Sequence, residues 1–324
     1  MKRIIVGIHG LGNKPPKELA EKWWKKSIID GLRIHNNYFL KPKFDLIYWA
    51  DILHPAPLDF NINDKTNPNY LDEPYKPYQF NSKNKPNLNR KKILDQLEKI
   101  TDKIFLKNDL SLNIPIISEY VIHKYFEDLE NYYKKENIKD LIRNRAAKIL
   151  TKNRKKKIFF IGHSMGSIIA YDVLVLNLAQ VKVDTFATIG SPLGIPIVQS
   201  KIAKEIKADF PHTVKLTTPS AVTKHWFNFS DLQDKVAVNY NLADDYDPND
   251  KGIAATDFIV ENDYSYNNIK NPHKSYGYLR TPEFSNVVYG FMMEDRTKMM
   301  KWILGIINET FKILYMRIKK PQYD

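Results

Sequence analysis

The sequence predicts an α/β protein with a mainly parallel sheet and helices on both of its faces. Three observations carry this. Short apolar runs rich in β-branched and aromatic residues recur, as in RIIVGIH (3–9), KFDLIYWAD (43–51), KIFFIGH (157–163), VDTFATIG (183–190) and KHWFNFSD (224–231). Such runs read as strands buried on both sides. Helical patterns fall between them, and strand–helix alternation is the signature of a parallel sheet. Glycine-rich loops follow several of the strands, where the chain must turn into the next helix.

Taken in order, strand 3–9 runs into the loop GLGN, and PKELAEKWWKKSIIDGL (16–32) has the spacing of an amphipathic helix, with Gly31 as its expected end. Strand 43–51 follows. From His54 to Arg90 the chain is crowded with Pro, Asn, Tyr and Lys and shows neither period. Loops of that length are usually functional or disordered. Helical patterns occupy 91–107, about 116–136 and 138–151. The alternation resumes with strand 157–163, helix 165–178, strand 183–194 ending in a loop, helix IPIVQSKIAKEI (195–206), strand 224–231, and one or two helices in the last forty residues. The expected organisation is one α/β core, residues 1–50 and 152–324, interrupted by an insertion, 51–151, read as a lid or cap. Tyr70, Tyr75, Tyr78 and Phe80 in that insertion have two readings: they line a substrate pocket, or they pin the long loop to the core.

The chain has 324 residues, 43% of them apolar, enough for a full core. Lys plus Arg minus Asp plus Glu is 50 − 37 = +13. A strong basic excess points to nucleic acid or anionic lipid when it is clustered. Here it is spread along the chain, so a nucleic-acid partner is not expected, and the densest run, KNRKKK (152–157), sits where charges solvate a strand entrance. The absence of cysteine excludes disulfides, a thiol nucleophile and Cys-ligated metal. The N-terminal apolar run Ile4–Ile8 is broken by Gly7 and is too short for a signal-peptide core, and no run reaches the ~18 apolar residues of a spanning helix. The expectation is a soluble, unprocessed, cytoplasmic protein of unspecified oligomeric state. The terminal stretch KMMKWILGIINETFKILYMRIKK (298–320) is apolar over much of its circumference with basic ends. It reads either as a helix packed on the sheet or as an interfacial anchor on an anionic membrane.

The stretch FFIGHSMGSIIAYDVL (159–174) is the most informative. A strand, Gly-x-Ser-x-Gly and a helix make a nucleophile elbow, in which a sharp turn exposes a serine Oγ at the carboxyl end of the strand. Gly162 and Gly166 meet the need for small residues where helix folds back on strand, and Ser164 is the candidate nucleophile. A serine needs a base. Of histidines 9, 35, 54, 123, 163, 212, 225 and 273, only His212, His225 and His273 follow the elbow. The partners follow in the order acid, then histidine, so an acid in or after strand 224–231 leaves His273. Asp231 and Asp234 compete as the acid. Asp234 is preferred because it begins an Asp-x-Val pattern, and Asp257 is a distant third. An oxyanion needs two donors: the backbone N–H of Met165, after the nucleophile, and one from the loop HGLGN (9–13). Leu11 is the choice for the second donor, with His9, Gly10 and Gly12 shaping that loop. As a phosphate loop it lacks the third glycine and a following Lys-Ser/Thr.

HGLGN, GHSMG, GSPLG (190–194), DKV (234–236) and PHKSY (272–276) together resemble the α/β-hydrolase superfamily, specifically its lipase- and esterase-like serine hydrolases, over about two-thirds of the chain. The insertion departs from the pattern, since caps in this superfamily most commonly follow the sixth strand. The resemblance implies the α/β-hydrolase fold, a Ser164–His273–Asp234 triad, an acyl-enzyme released by water, an ester or lipid substrate, and no metal or organic cofactor. The same triad also serves acyltransferases and thioesterases. A non-catalytic protein on this scaffold, binding membrane or nucleic acid through its charge, is the third reading. Against it, each catalytic position holds a competent residue.

Overall fold

The computed structural model describes residues 1–78, 132, 135–176, 178–209, 215–237 and 239–318. The expected helices at 91–107 and, almost entirely, 116–136 lie outside the described residues, as do Phe80, His123 and His212. Six strands, β1 (Arg3–Ile8), β2 (Phe44–Ile47), β3 (Lys157–His163), β4 (Val183–Ile189), β5 (Val222–Asp231) and β6 (Ala255–Val260), form one sheet in the order β2-β1-β3-β4-β5-β6. Every pairing in it is parallel. The helices are α1 (Lys17–Asn36), α2 (Ala50–Leu53), α3 (Glu136–Lys152), α4 (Met165–Val175), α5 (Pro196–Asp209), α6 (Leu242–Asp245), α7 (Ser275–Tyr278), α8 (Pro282–Met293) and α9 (Lys298–Ile318). A small hairpin, β7 (Ser265–Tyr266) and β8 (Ile269–Lys270), lies between β6 and α7.

The period of two along β3 explains the layering. Ile158 and Phe160 enter a core shared with α3, α4 and α5, while Phe159 and Ile161 enter a second core shared with α1 and α8. Both faces are covered, which is why the strands read as unbroken apolar runs. α3 falls within the 51–151 stretch, and its Ile142, Ala146 and Leu150 join the first core beside α4. Its Arg143 pairs with the buried Asp172 of α4 at 2.5 Å. The chain leaves β1 for β2 on one side and returns for β3 on the other. Ligands of open parallel sheets bind at such a reversal, outside the carboxyl ends of the strands.

Several boundaries differ from expectation. α1 does not end at Gly31 but runs to Asn36, and Asn37, in the left-handed region at φ 50°, closes it. Gly31 is instead a contact point: a Cβ there would lie 2.8 Å from the Arg280 Cα and 2.3 Å from the Ser285 Oγ. β2 stops at Ile47 because residues 50–53 already form α2. β6 was not expected, since ATDFIV offers only a short apolar run interrupted by Asp257. That aspartate is not near the catalytic candidates. Its carboxylate accepts the N–H groups of Leu242 and Ala243 at the start of α6 and the amide of Asn228. The terminal helix α9 is not packed on the sheet: none of residues 298–316 is buried.

The Gly31 contact carries a test. Gly→Ala inside a helix ordinarily stabilises by up to ~1 kcal/mol. Here the added methyl meets backbone that must move, and overpacking costs about 1–3 kcal/mol. Gly31→Ala is therefore expected to lower the denaturant midpoint, and a raised midpoint would contradict this packing.

Candidate active site

β3 ends in Gly162-His163, and the chain turns at Ser164 straight into α4. Ser164 has φ 53° and ψ −131°, a backbone region that non-glycine residues rarely occupy. Its N–H donates to the Ile189 carbonyl of β4 (3.1 Å), and its carbonyl accepts from Ser167 N–H (2.9 Å). The turn leaves no room beside it. A Cβ on Gly162 would lie 2.6 Å from the Ser167 Cα, and one on Gly166 2.5 Å from the Ile8 carbonyl. The Ser164 side chain stands at the carboxyl end of β3, next to the first N–H groups of α4, which have no intrahelical acceptor.

His273 arrives from the loop after the β7–β8 hairpin. Its Nε2 is 2.9 Å from Ser164 Oγ, and its Nδ1 lies 2.8 and 3.0 Å from the two Asp234 oxygens. A carboxylate can only accept, so Nδ1 carries the proton and Nε2 is left to accept from the serine hydroxyl. Asp234 sits just past β5 with its side chain fully buried. It also accepts the Val236 N–H (2.8 Å) and the Tyr278 hydroxyl (2.8 Å). The structure thus brings Ser164, His273 and Asp234 into one hydrogen-bonded row.

Asp231 does not join that row. Its carboxylate accepts the backbone N–H groups of Gln233 and Asn262, both at 2.7 Å, and burial raises its pKa. It works on the histidine loop indirectly. The Asn262 amide donates to the carbonyls of Pro272 and Lys274, 2.8 Å each, on either side of His273. Glu73 accepts from Asn271 and Lys274 in the same loop. The Tyr278 hydroxyl accepts the Asp231 N–H (2.9 Å) while donating to Asp234. Sequence reasoning missed Asn262, Tyr278 and Glu73. Asn262 lies just beyond β6, so finding it required recognising that strand, and no sequence signal marks the other two.

The loop after β1 lies against the nucleophile: a Cβ on Gly10 would be 2.6 Å from the Ser164 Cβ. His9 is buried and stacked on Trp49 at 5.0 Å. Its Nδ1 donates to the Gly10 carbonyl and its Nε2 accepts the Trp49 N–H. Burial, aided by the Lys14 charge, pushes its pKa well down, so it stays neutral. His163 is likewise kept neutral, by burial and then by His273, and donates to the His273 carbonyl at 2.8 Å. Gly12 has φ 77°, which bends the loop, and the Lys14 ammonium folds back onto the carbonyls of Leu11 and Gly12. Leu11, Gly12 and Met165 line one pocket of about 200 Å³ together with Trp49, Ile138 and Ile142, with His54 and Lys135 as its polar members.

Of the insertion tyrosines, Tyr75 and Tyr78 are anchored to the core. Tyr75 donates to Asp30 and meets Tyr276 edge-on, and the Tyr78 ring meets His35 and Arg280. Among the described residues, no cluster of three or more His, Asp or Glu side chains could hold a metal ion, and no helix is long and apolar enough to cross a membrane.

A family model described as a PGAP1-like alpha/beta domain matches residues 119–227. The match contains the elbow, β3, β4 and half of β5, and it stops short of Asp234 and His273. No curated protein matches the chain.

The Lys14 contact predicts a pH dependence. Burial, and the neighbouring Lys274 charge, lower its pKa from 10.5 to about 7. Between those values the unfolded chain binds the proton and the folded chain does not, so this group makes folding more favourable as pH rises from about 7 toward 10.5. Urea midpoints measured across that range are expected to climb less steeply for Lys14→Met than for the wild type. Parallel slopes would show that Lys14 is not depressed.

Proposed function

We propose that the chain, whose residues 119–227 match a PGAP1-like alpha/beta domain and whose parallel sheet fits the α/β-hydrolase superfamily, is a serine hydrolase of carboxylic esters. The observation that carries this reading is the continuous row from Ser164 Oγ through His273 to Asp234, beside a pocket edged by Leu11 and Met165. In the proposed reaction His273 Nε2 takes the Ser164 proton as Oγ attacks the ester carbonyl. The Met165 and Leu11 N–H groups hold the resulting oxyanion. Asp234 keeps the imidazole in the tautomer that can accept and stabilises its charged form. Collapse expels the alcohol, which leaves with the proton from His273. Water, deprotonated by the same nitrogen, then releases the acid and restores Ser164.

The pocket supports a substrate preference. Pockets for drug-sized ligands span roughly 300–1,000 Å³, and about 200 Å³ lined mostly by apolar side chains suits a short acyl chain. This favours an esterase over a long-chain lipase. The two carboxylates have different tasks in this scheme. Asp234 acts on the imidazole, and Asp231 holds the loop that carries it.

Two outcomes are expected in a p-nitrophenyl ester series. Turnover peaks at short acyl chains and is abolished in Ser164→Ala, and activity surviving that change would remove Ser164 from the reaction. Asp234→Asn is expected to lower kcat by ~10⁴-fold, while Asp231→Asn acts mainly on stability. A larger kcat loss for Asp231→Asn would reverse the assignment.

A further inference from the structure

α9 turns its apolar side away from the protein. At 3.6 residues per turn, Met299, Trp302, Ile306, Ile307, Phe311 and Ile313 fall on one continuous arc covering about half of the helix. All six are exposed, Met299 at 71% and Trp302 at 67%. The helix is fastened to the body along its opposite edge. The Asn308 side chain accepts the Phe39 N–H and donates to the Asn37 carbonyl, and Tyr315 packs between Phe39 and Arg33. A soluble protein rarely exposes a contiguous apolar face of this kind unless something covers it.

Charge argues for the occupant. Along 298–318 the sequence has Lys298, Lys301, Lys312 and Arg317 against a single acid, Glu309. Of these lysines, Lys298 borders the Trp302 edge of the arc, and Lys301 and Lys312 lie farther round, on the side of the helix that meets the body. A negatively charged surface would pair with them while the apolar arc enters hydrocarbon. Aromatic and aliphatic residues on one face and lysines on the other make the pattern of a helix lying in a lipid interface. α9 does not meet the requirement for crossing a membrane, so it would lie on the surface.

We infer that α9 docks the protein onto an anionic lipid surface, with Trp302, Ile306 and Phe311 in the acyl boundary and the lysines at the headgroups. The attachment point, Asn37–Phe39, precedes β2 and lies toward the amino end of the sheet. Ser164 stands at the carboxyl end. Docking is therefore separate from the pocket and does not depend on which reaction the site performs.

Co-sedimentation of the full chain with phosphatidylcholine vesicles, with and without phosphatidylserine, tests this. Binding is expected only with phosphatidylserine and is expected to weaken with added salt. Trp302→Ser with Ile306→Ser is expected to reduce it by at least about tenfold through lost apolar burial. Lys298→Gln with Lys301→Gln is expected to reduce it by about tenfold or more through lost headgroup attraction. Thermal unfolding shows whether each variant is folded, and because the lysine pair leaves the apolar face intact, it stands even if the first variant unfolds. Absence of binding to anionic vesicles would overturn the proposal. So would binding that is equal in folded variants, or a wild-type dimer in solution that the Trp302→Ser variant dissolves.

Discussion

Ser164 is held at φ 53° and ψ −131°, and a side chain kept in such a region costs on the order of 1–3 kcal/mol that the surroundings must offset. The offsets are visible. The Ile189 carbonyl of β4 and the Ser167 N–H fix the peptide on both sides of the serine. The turn is also so tight that α4 packs directly on β3 and on the end of β1, where Gly162 and Gly166 have no space for a methyl group. That closeness brings the Gly10 loop onto the nucleophile and sets Leu11 and Met165 on one pocket. The position of the pocket at the reversal between β1 and β3 follows from the same turn.

The histidine depends on side chains rather than on a strand. Its loop is held by Asn262 from one direction, by Glu73 from another and by His163 beneath the His273 carbonyl. Asp231 in turn holds the Asn262 backbone, and Tyr278 links Asp231 to Asp234. Two carboxylates three residues apart are thereby separated into different environments. One faces the imidazole, and the other is saturated by backbone N–H groups. The buried His9 and His163 are neutral and act as fixed backbone partners, which leaves His273 as the imidazole in contact with the serine.

Much of this was legible in the sequence, and the reasons are local. The elbow reads clearly because a strand, two glycines and a helix occupy sixteen consecutive residues. His273 followed from chain order, and Asp234 from its Asp-x-Val neighbourhood. What could not be read depends on contacts between distant segments. Gly31 looked like a helix end because nothing near it in sequence reveals Arg280 and Ser285 across from it. β6 was missed because a short edge strand containing an aspartate has little periodicity. The role of Glu73 exists only once residues some 200 apart meet around one loop, and that of Asn262 depends on the unexpected β6, which leads into it. The 298–320 segment was recognised as amphipathic, but which side its apolar face would take is a tertiary property, and it faces outward.

The central claim is that Ser164 is an activated nucleophile rather than a turn residue. Incubation with a fluorophosphonate, followed by mass mapping of the modified peptide, tests it directly and needs no knowledge of the substrate. The account predicts a single phosphonyl group per chain, on Ser164, and slow or absent labelling in His273→Ala. No adduct, an adduct on another residue, or labelling that is unchanged without His273 would contradict it.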